Sequence, residues 1–165
     1  MADQEDELQK ARRLGMDYLA GADRAAQQVR QKLHKAGFSG EVVEQVIAEF
    51  AEKRWLDDEG FARRWVESRL EKKPAGARRF AQELRGRGIE PEIVERVLGE
   101  FAGQLDAEGA MAGLLRRQQG RWAGLEEERA RRRMLDFLRR RGYDEEGAVR
   151  AVEQVWKEMQ QGENE

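Results

Sequence analysis

LHKAGF at residues 33–38, LRGRGI at 84–89 and LRRRGY at 138–143 share one pattern: a leucine, a glycine four residues later, and a bulky apolar residue directly after it. The three glycines, Gly37, Gly88 and Gly142, stand 51 and 54 residues apart. Such a period indicates an array of like helical units, which acts through a long presented surface instead of a pocket. The likeness extends outward from each glycine. Eight residues before it stand Val29, Phe80 and Met134; nine and ten after it stand Val46-Ile47, Val97-Leu98 and Ala151-Val152; thirteen after it come Phe50, Phe101 and Val155. Apolar residues thus recur at helical spacing on both sides of the corner.

Each glycine reads as the residue that ends a helix in a left-handed backbone conformation, which other residues resist. In the Schellman arrangement the residue after the glycine packs near the last helical turn, pairing Phe38 with Leu33, Ile89 with Leu84 and Tyr143 with Leu138. A new helix should begin at once. Ser39 and Asp144 are good N-caps, and Glu90, a poorer one, is followed by Pro91 at the favoured first helical position.

A further helix precedes each corner. The clearest opens at Asp57-Asp58-Glu59, whose carboxylates suit a helix N-terminus, and continues through Phe61, Ala62, Trp65, Val66, Arg69 and Leu70 until Pro74. In the third unit Asp106, Glu108 and Gly109 echo Asp57, Glu59 and Gly60, and Leu114-Leu115 stand for Trp65-Val66. In the first unit Ala11, Leu14 and Leu19 serve before Gly21. The expected fold is all-α, a tandem array of three three-helix repeats forming an elongated, curved molecule. Repeats are expected at 8–55, 56–103 and 105–159, with a disordered acidic N-terminus at 1–7 and a disordered tail at 160–165. Nine helices form three triads.

Composition agrees: charged and hydrophobic residues each make up 39% of the 165 residues, with only two prolines and two tyrosines, so alternating strand patterns are scarce. One unit of roughly 50 residues buries too little surface to be secure alone, so neighbours should support one another. With no cysteine there is no disulfide, thiolate metal site or cysteine nucleophile. The only histidine, His34, aligns with Arg85 and Arg139 and is expected on the exposed face, so no zinc site can be assembled from it. Acidic clusters at Asp57-Asp58-Glu59, Glu126-Glu127-Glu128 and Asp144-Glu145-Glu146 stand at expected helix starts, where dipole compensation explains them without catalysis. No glycine-rich phosphate loop follows a strand signal. Neither catalytic residues nor a cofactor or metal site are expected, and the chain is read as a non-enzyme. The N-terminus, MADQEDELQK, lacks an apolar core and no apolar run could span a bilayer, so a cytoplasmic protein without a membrane partner is expected.

Charge is distributed in blocks. Net values are −4 for residues 1–60, +6 for 61–88, −5 for 89–115, +6 for 116–142 and −5 for 143–165, which sum to the overall −2. The basic blocks hold Arg63, Arg64, Arg69, Lys72, Lys73, Arg78 and Arg79, then Arg116, Arg117, Arg121, Arg129, Arg132, Arg133, Arg139, Arg140 and Arg141. Arginine's planar fork fits phosphate and carboxylate alike, so either nucleic acid or an acidic protein surface can be the partner; ordinary solvated helix faces are the plainer reading of any one arginine. Trp65 sits at an apolar register position and is expected in the core. Trp122, in QQGRWAG, could be exposed, and Trp55 and Trp156 are expected to pack inside or between units.

WLDDEGFARRWVESRL at 55–70, followed by GARRFAQELRGRGI at 76–89, resembles the RecX family of bacterial regulators of the recombinase RecA. The family-like positions are Leu56, Asp57, Asp58, Phe61, Ala62, Arg69, Gly76, Arg78, Arg79, Leu84, Gly88 and Ile89, while KAGFSGEVVEQVI and RRGYDEEGAVRAV repeat its helix-corner-helix pattern in the outer units. One departure is in ADRAAQQVRQKL: Ala25 and Gln28 replace a serine and a glutamate common in the family, so Asp23 is expected to cap the second helix. The resemblance implies a non-enzymatic modulator in DNA repair and the SOS response, and a monomer is expected. It would bind the groove of the RecA filament on single-stranded DNA and limit recombination, ATP hydrolysis and coprotease activity. Arg69, Arg78, Arg79, Arg132, Arg133 and Arg140 are the leading contact candidates. The alternative is a helical module that binds nucleic acid directly, without RecA.

Overall fold

The computed structural model describes residues 1–162, and among these no strand occurs. The helices of the three triads are α1 (Ala2–Gly21), α2 (Ala26–Lys35) and α3 (Gly40–Glu52); α4 (Asp58–Lys72), α5 (Ala77–Gly86) and α6 (Pro91–Glu100); and α8 (Glu108–Arg117), α9 (Glu127–Arg140) and α10 (Glu145–Gly162). Two short elements fall outside the expected pattern: a single turn, α7 (Ala102–Leu105), and a 3₁₀ turn at Gln119–Arg121. Residues 2–7, expected to be disordered, form the first turns of α1. Residues 160–162 of the expected tail extend α10, and 163–165 lie outside the described residues.

The three corners share one geometry. Gly37, Gly88 and Gly142 have φ of +90°, +78° and +81°. Each following N–H returns to the leucine carbonyl: Phe38 to Leu33 at 3.3 Å, Ile89 to Leu84 at 3.2 Å and Tyr143 to Leu138 at 3.3 Å. The glycine N–H groups bond the carbonyls of His34, Arg85 and Arg139, completing the Schellman pair of bonds. Departing helices are capped as expected by Ser39, whose Oγ accepts from Val42 N–H, and by Asp144, whose Oδ2 accepts from Gly147 N–H at 2.7 Å. Asp57 Oδ1 accepts from Gly60 N–H at the start of α4. A fourth corner of this kind closes α3 without glycine: Arg54 takes φ +58°, and Trp55 N–H bonds Phe50 O at 2.8 Å.

Two compact units partition the chain, one made of Met1–Trp65 with Glu83–Val97 and the other of Val66–Gln82 with the chain from Leu98 onward. In the first, α1, α2 and α3 pack mutually around Leu8, Ala11, Val29, Leu33, Val43, Val46 and Phe50. In the second, α10 packs on α8 and α9 around Met111, Leu115, Met134, Leu138, Ala151 and Val155. Such burial of apolar side chains is the main favourable contribution to folding.

Each unit contains a joint in which the second helix of one triad receives part of the next triad. In the first joint, Asp58 Oδ1 accepts from Ala26 N–H at 2.8 Å, Arg64 makes a two-point ion pair with Asp23 at 2.7 and 3.1 Å, and Gly88 lies so close to Gln27 that a Cβ there would stand 2.4 Å from the Gln27 Cβ. Asp23 therefore does not cap α2. Asp58 supplies an acceptor for its first N–H instead, and Gln28 Oε1 accepts from Ala25 N–H at 2.9 Å.

In the second joint, the Asp106 carboxylate accepts from the N–H groups of Ala77 and Asp144, so it serves two helix starts at once. Gly76 N–H donates to Arg141 O at 2.8 Å, Arg141 Nη1 donates to Pro74 O at 3.1 Å, and a Cβ on Gly142 would stand 2.4 Å from Arg79 N. A Cβ on Gly76 would meet Gly142 O at 2.2 Å, so both glycines are required by close backbone approach as well as by the φ of Gly142.

Candidate functional site

All six nominated arginines belong to the second compact unit. Arg69 lies half-buried near the end of α4, Arg78 and Arg79 are exposed in the first turn of α5, and Arg132, Arg133 and Arg140 are exposed on α9. The Gly76–Gly142 contact holds the start of α5 against the corner between α9 and α10, which sets the Arg79 backbone beside Gly142. Arg78 contributes to holding the Glu145 carboxyl below its ordinary value, an effect led by the hydrogen bond from Arg139.

On α9 the sequence assigns two faces. Ala130, Met134, Phe137 and Leu138 are buried, while Arg129, Arg132, Arg133 and Arg140 line the solvent side at helical spacing, with half-buried Asp136 among them. Arg121, Arg133, Asp136 and Arg140 surround a depression of about 250 Å³ beside Trp122. The Trp122 ring on its wall meets the Phe137 ring edge to face with centroids 5.8 Å apart, and the Arg121 guanidinium stands 5.2 Å from the first and 5.5 Å from the second.

Ion pairing divides the basic blocks. Arg116 grips Glu158 at 2.8 and 2.9 Å, and Arg139 binds Glu145 through both nitrogens of its fork. Arg64 is held by Asp23 and Arg63 by Glu59. Among the described residues, Arg132, Arg133 and Arg140 make no ion pair. Their guanidinium groups can each offer two parallel N–H donors to a phosphate or carboxylate.

Tryptophan placement differs from expectation at two positions, Trp65 and Trp55, and is decided at a third, Trp122. Trp122 is buried at 2% exposure because its Nε1 finds an acceptor in Leu115 O at 3.1 Å. Trp65 is half-buried, with the Arg87 guanidinium 5.3 Å over its ring. Trp55 is exposed, turned outward after the left-handed Arg54 and overlaid by Lys53 Nζ at 4.7 Å. Trp156 is buried as expected, and His34 is exposed.

Of the motif positions, Leu56, Phe61, Ala62, Leu84 and Ile89 are buried, whereas Asp57, Asp58, Gly76 and Gly88 build caps and joints. Asp106 was legible as a helix-start acid but not as a bridge. Burial raises its carboxyl above the ordinary value, and the nearby Asp144 charge raises it further. Burial likewise pushes the Tyr143 phenol up to about 12. No group of acidic or histidine side chains among the described residues could hold a metal ion, and no helix there is long and apolar enough to cross a membrane.

Comparison with known proteins follows the same lines. Family models match at residues 11–50, the first three-helix domain of RecX, and at 57–98, the second three-helix domain of RecX. A regulatory protein RecX from Streptomyces coelicolor is 31% identical, with 93% of this chain and 81% of that protein covered. One from Treponema pallidum is 36% identical over 82% of this chain and 70% of that protein. The crystal structure of RecX from Lactobacillus salivarius superposes with a TM-score of 0.84 at 16% identity, covering 92% of this chain and 97% of that one, a likeness of fold. With tandem three-helix repeats, identical register at the corners and relatives matched over most of their length, the chain belongs to the RecX family.

Proposed function

We propose that this chain is a non-enzymatic inhibitor of RecA that binds the groove of the RecA filament on single-stranded DNA and so limits recombination, ATP hydrolysis and coprotease activity. Family membership and the name of its relatives, regulatory proteins, support the regulatory role. One observation carries the reading further: Arg132, Arg133 and Arg140 of α9, which make no ion pair among the described residues, stand in the same compact unit as the arginine pair of α5, whose backbone is fixed by a glycine-to-glycine contact. Several spaced cationic points on tandem repeats suit a polymer whose acidic sites recur, because a second contact forms at high effective concentration once the first is made.

DNA-dependent ATP hydrolysis by RecA, measured with and without the protein, tests this proposal. Inhibition by the wild-type chain that is lost in Arg132→Glu/Arg133→Glu, with helicity unchanged, is the expected result; no effect of the wild type on hydrolysis overturns it. Arg78→Glu/Arg79→Glu tests the α5 pair in the same way, and undiminished inhibition removes those residues from the mechanism. The arginine-rimmed depression beside Trp122 also favours a second reading, direct binding to nucleic acid. In that case affinity for bare single strands falls with salt at a log-log slope of about −0.7 per phosphate contact, and RecA adds nothing.

A further inference from the structure

We propose that the first triad carries an open copy of the inter-repeat joint, formed by Glu7, Arg13 and Gly37, and that it receives the N-terminal turn of a helix from a protein partner. The three residues lie 51 positions before Asp58, Arg64 and Gly88. In the first joint those residues respectively accept the first N–H of α2, pair with Asp23 ahead of that helix, and lie against Gln27. Ala11-Arg12-Arg13 repeats as Ala62-Arg63-Arg64 in the same register.

The two neighbouring arginines part ways. Arg12 turns into its own triad and holds Glu49 with two bonds of 2.7 Å, as Arg63 turns to Glu59. Arg13 is exposed and makes no ion pair among the described residues. Among the described residues, a Cβ on Gly37 would meet nothing within 4 Å. Glu7 uses Oε1 to accept from Ser39 N–H at 2.8 Å, which leaves Oε2 as an acceptor.

The second joint indicates what Arg13 requires. There Pro74 stands where the first joint has Asp23, and Gly113 stands where it has Arg64; acid and arginine are both missing, and Arg141 bonds the Pro74 carbonyl instead. The arginine of the joint therefore goes with a carboxylate preceding the received helix. An unpaired Arg13 calls for a partner helix with an acidic residue about three positions before its first turn and a small residue at its cap, as Asp23, Ala25 and Ala26 provide in α2. Attraction between the acid of the socket and the positive end of the received helix adds to the fit.

Within this chain α9 does not meet the requirement. It begins 15 residues before its corner glycine, whereas α2 and α5 begin 11 before theirs, so the residue equivalent to Ala26, Arg131, is already inside the helix and its N–H is used there. The occupant is thus another protein, and, resting on the proposed function, a subunit of the RecA filament.

Binding of the full chain to RecA filaments assembled on oligo-dT with a non-hydrolysable ATP analogue, and to oligo-dT alone, tests this for wild type, Arg13→Ala and Arg13→Glu. Arg13→Glu should weaken filament binding about tenfold through like-charge repulsion against the partner acid, Arg13→Ala less, with helicity and affinity for bare oligo-dT unchanged. Wild-type filament affinity in Arg13→Glu overturns the socket and leaves the RecA reading standing. No filament binding by the wild type overturns both. A wild-type dimer in sedimentation that Arg13→Glu converts to monomer overturns the RecA assignment in favour of a second copy.

Discussion

Alanine at each of the three corner glycines separates backbone strain from packing at the joints. All three positions have nearly the same left-handed φ, so each substitution carries the same conformational cost, about 1–2 kcal/mol, offset by about 0.4–1 kcal/mol from stiffening the unfolded chain. At Gly37 no described residue lies within reach of the new methyl, and the net loss should be about 1 kcal/mol. At Gly88 the methyl meets Gln27 Cβ and Cγ at 2.4 and 2.5 Å; Cγ can swing about χ1, whereas Cβ yields only with a small shift of the α2 backbone. At Gly142 it meets Arg79 N at 2.4 Å and Cα at 3.0 Å, where relief requires shifting the start of α5. Overpacking adds about 1–3 kcal/mol, with Gly142 at the upper end. Urea unfolding followed by far-ultraviolet circular dichroism should rank the losses Gly37 smallest and Gly142 largest. A separation of roughly 1 M in midpoint is expected for a slope near 2 kcal/mol/M. Equal losses at the three sites, or the largest at Gly37, would refute the two-joint architecture.

Other outcomes are as specific. Asp106→Ala should cost about 1 kcal/mol by removing the acceptor for two helix starts, while Asp106→Asn, which keeps an oxygen and loses the charge, should cost less; denaturation midpoints at neutral pH compare them. Because the folded-state carboxyl is raised, the part of stability linked to its protonation is complete below the unfolded value and is lost as pH rises through the folded one, so Asp106→Asn should flatten that segment of the pH profile. Glu145, lowered chiefly by the Arg139 hydrogen bond, has the opposite sign: its contribution is present above the unfolded value and fades as pH falls. Trp122→Ala should cost about 3–5 kcal/mol, read as a fall in melting temperature. Leu84→Ala should cost about 2–5 kcal/mol and impair RecA inhibition by loss of fold, visible as lost helicity.

Local chemistry was legible wherever one residue type answers one backbone requirement. Glycine at a left-handed corner, serine or aspartate at a helix start, and proline opening α6 all act within a few residues of themselves, so their spacing revealed the triads. Interactions between triads were not legible in this way. Asp58 and Asp106 look alike as helix-start acids, yet each also serves a helix about 30 residues earlier in the chain, and only the fold brings those N–H groups within reach. Tryptophan burial was legible for Trp156 but not for Trp65, Trp55 or Trp122, because an acceptor such as Leu115 O or a corner such as Arg54 is set by the fold and not by hydrophobicity. For the candidate surface, composition located the basic blocks, whereas the division into ion-paired and available arginines depends on carboxylates such as Glu145 and Glu158, contributed by a different helix.

The extended start of α9 has a consequence for how such chains can grow. Where α2 and α5 leave their opening amide for the following triad, α9 consumes it in an additional turn, Glu127–Ala130. Grafting a further triad after α10 should therefore leave that addition undocked unless the EERA turn is removed.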